Sequence, residues 1–311
     1  MRAFFSPSAP RNDRFPGTRH QEQTALNGRI LITGAAGQLG QELLRQLGTQ
    51  AVGLSHAECD IADPSAVEQQ VAAYRPEIVI NTAAWNQVDR AEQQPDSAFR
   101  VNEVGPRNLA VACRRMGARL VQISSDYVFG GERDRRTPYT ESDLPSPVNR
   151  YGESKWAGER AVLETDPQAL VVRTCGLYGW PPATGKRSFA ETILQRAEEC
   201  HELRVVADQC CTPTFIPHLV IGLQQLLNRQ ATGIVHLTNR GAASWFEFAQ
   251  KLLEEVHWNG KLHPIRSEEL SLAAKRPAYS VLSTARFEQW TGSSLPDWQQ
   301  AVQEYLQRRR A

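Results

Sequence analysis

The sequence predicts an α/β protein organised on a doubly wound parallel sheet, with a smaller C-terminal portion set against it. Three observations carry this expectation. Short apolar runs alternate with amphipathic segments over residues 28–174, the order expected where each strand of a parallel sheet is followed by a crossover helix. A glycine-rich turn, G-A-A-G-Q-L-G, sits between the first apolar run and the first amphipathic segment. Beyond Tyr178 the texture changes to Pro- and Gly-marked loops separating isolated helical patterns. Residues 28–175 are therefore expected to form one unit and 176–311 mainly a second, with 215–238 returning to the first.

Taken in order, residues 1–27 are rich in Arg, Ser, Pro, Gln and Thr and contain no apolar stretch, so they read as a disordered extension. Residues 29–33 (R-I-L-I-T) are a buried strand, and the segment through Leu43, Leu44 and Leu47 is a helix. Between them Gly34, Gly37 and Gly40 follow a G-x-x-G-x-x-G spacing. Their uses are a tight turn, close approach of backbone to a pyrophosphate, and close packing of helix on sheet, with the helix amino terminus supplying free N–H groups. This placement makes the sheet Rossmann-like and its ligand a dinucleotide. A second strand at 51–54 is followed by Ser55 and His56 rather than by the acid that usually holds an NAD ribose, which favours NADPH or use of both cofactors. Asp60 and Ile61 come next, where such sites meet the adenine ring, and Asp63-Pro64 caps a helix. The third strand, 78–81, opens into N-T-A-A-W, whose Ala83 and Ala84 let the backbone pass close to a cofactor. A helix over 99–113 carries Asn102, suited to satisfying a backbone group inside the fold. Further strands are expected at 119–123, 170–173 and 234–238, and further helices at 148–162, 189–199, 217–227, 244–256 and 295–309.

The chemistry concentrates in residues 124–155. Ser124 and Ser125 close the strand at 119–123, at the carboxyl edge where open α/β sheets bind ligands. Tyr151 and Lys155 lie four apart on a predicted helix, so both face one side about one turn apart. A phenol with a pKa of about 10 is a poor acid or base near neutrality, and an adjacent ammonium is expected to bring it toward working range. Serine, tyrosine and lysine then converge as a proton donor for a carbonyl oxygen.

Composition narrows the field. The chain has 311 residues, ample for either one large unit or two modest ones. With 35 basic and 34 acidic residues the net charge is +1, giving no electrostatic case for a nucleic acid or membrane partner. No run approaches the roughly 18 apolar residues of a membrane span. Cys59, Cys113, Cys175, Cys200, Cys210 and Cys211 include no zinc-type spacing, so no metal site is expected and the thiols read as reduced in a cytoplasmic protein.

The ordered set G-A-A-G-Q-L-G, V-D-R-A-E, V-N-E-V-G-P-R-N-L-A, S-S-D-Y-V-F, Y-G-E-S-K, D-Q-C-C-T-P-T and R-P-A-Y-S resembles the extended short-chain dehydrogenase/reductases and, within them, the dTDP-4-dehydrorhamnose reductase family. The likeness runs from Gly28 to Leu306. It implies NADPH- or NADH-dependent reduction of the 4-keto group of a dTDP-linked 6-deoxy sugar. Ser125 would orient the keto oxygen, Tyr151 deliver the proton, and Lys155 hold the nicotinamide ribose and tune Tyr151. The cofactor would meet Gly34, Gly37, Gln38, Leu39, Gly40, Asp60, Ile61, Ala83, Ala84, Asn102 and Ser124. On the substrate side the candidates are Trp85, Val88, Asp126, Tyr127, Lys186 and Arg276, with Arg187 a further cation for the diphosphate. Asp208 and Thr212 are read as organising their loop. Some relatives are dimers, so a homodimer is a further expectation.

One departure stands out. Where these reductases usually read R-T-S-W-x-Y, this chain has Arg173-Thr174-Cys175-Gly176-Leu177-Tyr178, without the large aromatic, so Trp180 or Trp85 is expected to fill the space or the sugar to differ. S-S-D-Y-V-F and P-Y-T-E-S-D-L-P-S-P-V-N also resemble the regulatory β subunit of methionine adenosyltransferase, an NADP-binding partner subunit. That resemblance implies a non-catalytic alternative.

Overall fold

A computed structural model describes residues 29–132, 134–180 and 187–310. The extension at 1–27 and Lys186 lie outside the described residues. Six strands form the central sheet: β1 (Ile30–Thr33), β2 (Ala51–Leu54), β3 (Ile78–Asn81), β4 (Arg119–Ser125), β5 (Leu170–Thr174) and, much later in the chain, Gly233–His236. All pairings are parallel, in the order Gly233–His236, β5, β4, β3, β1, β2. Chain direction reverses between β1 and β3, and ligands enter open α/β sheets at that kind of switch point.

Each crossover is helical: α1 (Gln38–Leu47), α2 (Pro64–Tyr74), the short α3 (Val88–Gln93) and α4 (Pro95–Phe99), α5 (Gly105–Met116) and α6 (Arg150–Thr165). The strands are apolar on both sides because both faces are covered. Ile30, Ile32, Ile80 and Val172 meet Leu39, Leu43 and Leu47 of α1, while Leu31, Val79, Leu120 and Val171 meet Val67, Leu109 and Val162 on the opposite face.

Past β6 (Leu177–Tyr178) and α7 (Phe189–Glu199) come β7 (Glu202–Val206), β8 (Cys210–Cys211) and β9 (Thr214–Phe215). Next, α8 (Ile216–Asn228) leads into β10 (Gly233–His236), already placed at the sheet edge, followed by β11 (Ala243–Ser244), α9 (Trp245–Glu255), β12 (Lys261–Ile265), α10 (Ala285–Thr291) and α11 (Trp298–Arg310). Leu219, Leu223 and Leu226 of α8 join the α1 side of the sheet core. An aromatic cluster of Tyr178, Phe215, Phe248 and Tyr305 ties α9 and α11 together. The pairing of β7 with β12 was not foreseen; its partners lie far apart in sequence and alternate weakly.

The helix expected over 99–113 is interrupted. Residues 100–104 form a wider π-type turn before α5 begins. Pro106 has no N–H to return to the Asn102 carbonyl, so the regular ladder cannot run through this point.

Helix α6 approaches the end of β4 unusually closely. A Cβ on Gly152 would stand 2.1 Å from the Tyr127 carbonyl oxygen. Gly152→Ala is therefore expected to cost at least about 3 kcal/mol through overpacking against rigid backbone. A urea midpoint equal to wild type would contradict that approach.

Candidate active site

A cavity of about 570 Å3 opens where β1, β3, β4 and β5 end. Its floor is laid by β4 and its flank by α6. The start of α6 is pinned twice: Asn149 Oδ1 accepts from Gly152 N at 2.8 Å, and Glu92 Oε1 accepts from Arg150 N at 2.8 Å. With those amides satisfied the first turn is fixed, and it carries Tyr151, with Lys155 one turn on. Ser125 Oγ donates to Asp126 Oδ1 at 3.1 Å and accepts from Tyr127 N at 3.2 Å, and it stands close enough to the Tyr151 hydroxyl to favour its ionisation. The Lys155 amine donates to the Ile123 carbonyl at 2.8 Å. Ser124, Ser125, Tyr151 and Lys155 all line the cavity.

Electrostatics here reverse one expectation. Burial drives the Tyr151 phenol up to about 12; the Ser125 hydroxyl pulls it back and Asp126 adds to the rise. Burial also brings Lys155 down to about 8, with Glu159 opposing. The anticipated depression of the phenol by the amine is not what governs it, because burial outweighs it and the amine is directed at Ile123. The phenol thus holds its proton throughout the neutral range, the state a proton donor requires.

On the dinucleotide side, Gly37, Gln38, Leu39 and Gly40 line the cavity at the amino end of α1, where no side chain of the described residues caps the helix. Gly34 stands just behind, at φ +72°; a Cβ there would lie 2.4 Å from the Ala83 amide nitrogen, so only glycine allows the two turns to meet. Ala84 lines the cavity, and Ala83 N donates to Asn81 Oδ1 at 3.0 Å. Other candidates stand outside this lining and are used otherwise. Asp60 pairs with Arg100 at 2.6 Å and accepts from Ala62 N at 3.0 Å. Ile61 is buried in the sheet core. Asn102 brackets the Trp85 backbone, accepting from its N–H at 2.9 Å and donating to its carbonyl at 3.0 Å, and donates to Ser154 Oγ at 2.9 Å. A carboxylate does reach the end of β2: Glu58 accepts from both the amide and the hydroxyl of Ser55 at 2.7 Å.

On the substrate side, Val88, Asp126 and Tyr127 line the cavity. Asp126 is 3% exposed and receives Ser280 Oγ at 2.6 Å, Cys175 Sγ at 3.1 Å and the Ser125 hydroxyl, while burial pushes its carboxyl upward. It acts as a junction between β4, β5 and the Ser280 segment. Arg276 is not a free cation: its guanidinium forms a bidentate pair with Asp89 at 2.6 and 2.8 Å and donates to the Ala274 carbonyl at 2.7 Å. The pair holds Asp89 down to about 2 and clamps the R-P-A-Y segment onto α3. The V-D-R-A-E motif is thereby accounted for, since Asp89 holds that clamp and Glu92 pins α6. Trp85 lies outside the lining, its ring under the Arg90 guanidinium at 5.6 Å. Asp208 accepts from the Ser267 amide and Thr212 donates to the Gly241 carbonyl, both within loops.

Neither Trp180 nor Trp85 occupies the side of the cavity where Gly176 replaces an aromatic. Trp180 packs on Phe215 at 5.6 Å, and its carbonyl accepts from Gln38. The aromatic lining comes instead from Phe189 and Trp245, whose rings pack at 4.7 Å. Sequence reasoning passed over both, together with Thr82 and Asn86, although the Ser244 and Glu247 capping box fixes Trp245 as the first residue of α9 and so marked it. Arg187, at the exposed rim, also lines the cavity. Among the described residues no group of three or more His, Cys, Asp or Glu could hold a metal ion, and no helix is long and apolar enough to cross a membrane.

A parallel doubly wound sheet, a glycine turn opening its first helix, and a Ser–Tyr–Lys set beside it define an extended short-chain dehydrogenase/reductase. Comparison with known proteins narrows this. The RmlD substrate binding domain family matches residues 28–311, and the chain belongs to that family. It is 40% identical over 306 residues to the dTDP-4-dehydrorhamnose reductase of Mycolicibacterium smegmatis, covering 96% of this chain and 92% of the relative. The spore coat polysaccharide biosynthesis protein SpsK of Bacillus subtilis is 39% identical over 284 residues, covering 90% of this chain and 98% of that protein. Among solved structures, the dTDP-4-dehydrorhamnose reductase of Bacillus anthracis in complex with NADP superposes with a TM-score of 0.86 at 37% identity, covering 90% of this chain and 99% of that one.

Proposed function

We propose that the protein reduces the 4-keto group of a dTDP-linked 6-deoxy sugar, converting dTDP-4-dehydrorhamnose to dTDP-L-rhamnose with NADPH or NADH. The observation that carries the proposal is that Ser125 at the end of β4, Tyr151 and, one turn on, Lys155 line a single cavity that begins at the glycine turn. The names of the relatives agree with it. A dinucleotide fits the residues present: the uncapped start of α1 offers N–H groups to a pyrophosphate, and the Gly34 to Gly40 turn leaves backbone exposed beside it. Glu58 is engaged with Ser55, which leaves the end of β2 without a free acid for an NAD ribose. When bound, the reduced nicotinamide supplies the hydride.

The chain's own residues do the rest. Ser125 bonds the keto oxygen and sets its direction toward Tyr151, which gives up its phenolic proton to that oxygen. Lys155 places a positive charge beside the phenolate left behind. Phe189 and Trp245 offer apolar surface to the nucleotide sugar, and Arg187 meets its diphosphate. The same reading places the protein in the cytoplasm as a homodimer, the latter checked by light scattering.

Mixing the protein with NADPH and enzymatically made dTDP-4-keto-L-rhamnose is expected to consume the nicotinamide absorbance rapidly. Cofactor binding without oxidation would overturn the proposal in favour of an NADP-loaded regulatory subunit.

A further inference from the structure

Behind Ser125, Tyr151 and Lys155 lies a second, wholly buried layer of charge. Glu159 stands one turn beyond Lys155 on α6 and is 2% exposed. Its Oε1 accepts from Ser124 Oγ at 2.5 Å and from Arg173 Nε at 2.8 Å, and its Oε2 accepts from Arg173 Nη2 at 2.7 Å. Arg173 on β5 is itself buried, its guanidinium 5.0 Å from the Phe129 ring and its Nη1 3.4 Å from His236 Nε2. Desolvating two full charges costs several kcal/mol per ion, and apolar residues of similar volume often stabilise a core as well. Stability alone does not account for this pair.

The geometry suggests what does. The end of β4 is gripped by two successive turns of α6, Lys155 holding the Ile123 carbonyl and Glu159 the Ser124 hydroxyl, with Tyr151 one turn earlier beside Ser125. The Y-x-x-x-K spacing thus continues one step further, to a residue that does not line the cavity.

We propose that Glu159 is a positioning residue for the reaction: joined to Ser124 and Arg173, it locks the end of β4 against α6 so that Ser125 and Lys155 keep their places around Tyr151. This rests on the reductase reading above. Glu159 also carries the charge that opposes the effect of burial on the Lys155 amine. The charged group that acts on that amine is Glu159; the titratable groups on the elements packed there are Tyr151 one turn earlier on α6, Asp126 after β4 beside Tyr151, Glu103 in the turn that packs on α6, and Arg173 on β5, which is paired with Glu159. His236 of β10, beyond Arg173, is pushed down to about 3 by burial and by that cation, and is neutral. With Glu159 neutralised, Arg173 loses its counter-charge and Lys155 the one charge that favours its ammonium.

The test compares Glu159→Gln, Glu159→Asp and Ser124→Ala with wild type by kcat, KM and pH profile. A second readout is the pH dependence of Lys155 acetylation by acetic anhydride, followed by peptide mass spectrometry. Glu159→Gln is expected to lower kcat about tenfold with KM within twofold. It should also move both the alkaline limb and the Lys155 labelling midpoint about one pH unit to the acid side, the size of effect a nearby charge exerts. Glu159→Asp should recover most of both, and Ser124→Ala should lower kcat severalfold without moving the midpoint. A folded Glu159→Gln protein with wild-type kcat and an unmoved midpoint overturns the proposal. Should that variant fail to fold, wild-type kcat in Ser124→Ala overturns it. If wild type itself turns nothing over, the reductase reading alone fails, and the labelling midpoint still decides the role of Glu159.

Discussion

Tyr151→Phe is expected to lower turnover by at least a hundredfold while leaving NADPH binding near wild type. The substitution removes one oxygen and little else. The ring packs edge-on against Tyr127 with centroids 5.5 Å apart, and phenylalanine preserves that contact. What disappears is the proton that burial keeps on the phenol up to about pH 12. General acid catalysis by a positioned group is worth typically 10²- to 10⁴-fold, and no other hydroxyl replaces this one: Ser125 has a single hydroxyl proton, which in the proposed reaction holds the keto oxygen. Because the wild-type phenol stays protonated across the neutral range, its own ionisation should leave no inflection in the pH profile between 6 and 9. Steady-state turnover paired with a nicotinamide fluorescence titration separates the two effects. A Phe variant with near-normal turnover would place the proton donor elsewhere.

The sequence made the parallel sheet legible because its information is local and periodic. Apolar runs of four or five residues lie between glycine or Asp-Pro punctuation, and Y-x-x-x-K fixes two side chains on one helical face wherever that helix packs. What it could not convey was which polar groups spend their hydrogen bonds on one another. Arg276 reads as a cation free to bind a diphosphate until Asp89, 187 positions away, is seen to hold it. Asp60 reads as an adenosine contact with nothing to show that Arg100 also pairs with it, and Asn102 reads as a cofactor contact with nothing to show its bonds to Trp85 and Ser154. The direction of the Tyr151 shift was missed for a related reason: spacing shows that an amine is near, whereas desolvation, the larger effect here, depends on how much of the fold closes over both groups. Trp245 went unnoticed because residues 244–256 were read only as a helix.

Lys155→Met should show function and stability pulling in opposite directions. Turnover is expected to fall by a hundredfold or more, since the variant loses the cation beside the phenolate and the proposed ribose contact. The folded protein should nevertheless become more stable at pH 7 by about 1–3 kcal/mol. The lowering of Lys155 from 10.5 to about 8 reports the cost of keeping an ammonium out of water, about 3 kcal/mol, and methionine fills a similar volume without that cost. The Ile123 carbonyl is not orphaned by the change, because it also accepts from Gln122 Nε2 at 2.8 Å. The pH dependence has a definite sign. Below about pH 8 the amine is charged in both the folded and unfolded chain, and the folded wild type carries the full penalty. Between about 8 and 10.5 the folded chain releases its proton first, the unfolded state binds more protons, and wild-type stability rises relative to the variant. The difference in urea midpoint between the two proteins should therefore be largest at pH 7 and shrink by pH 10. A methionine variant less stable than wild type at pH 7, or a gap that widens with pH, would mean that burial does not penalise the ammonium, and the lowered Lys155 would have to be given up.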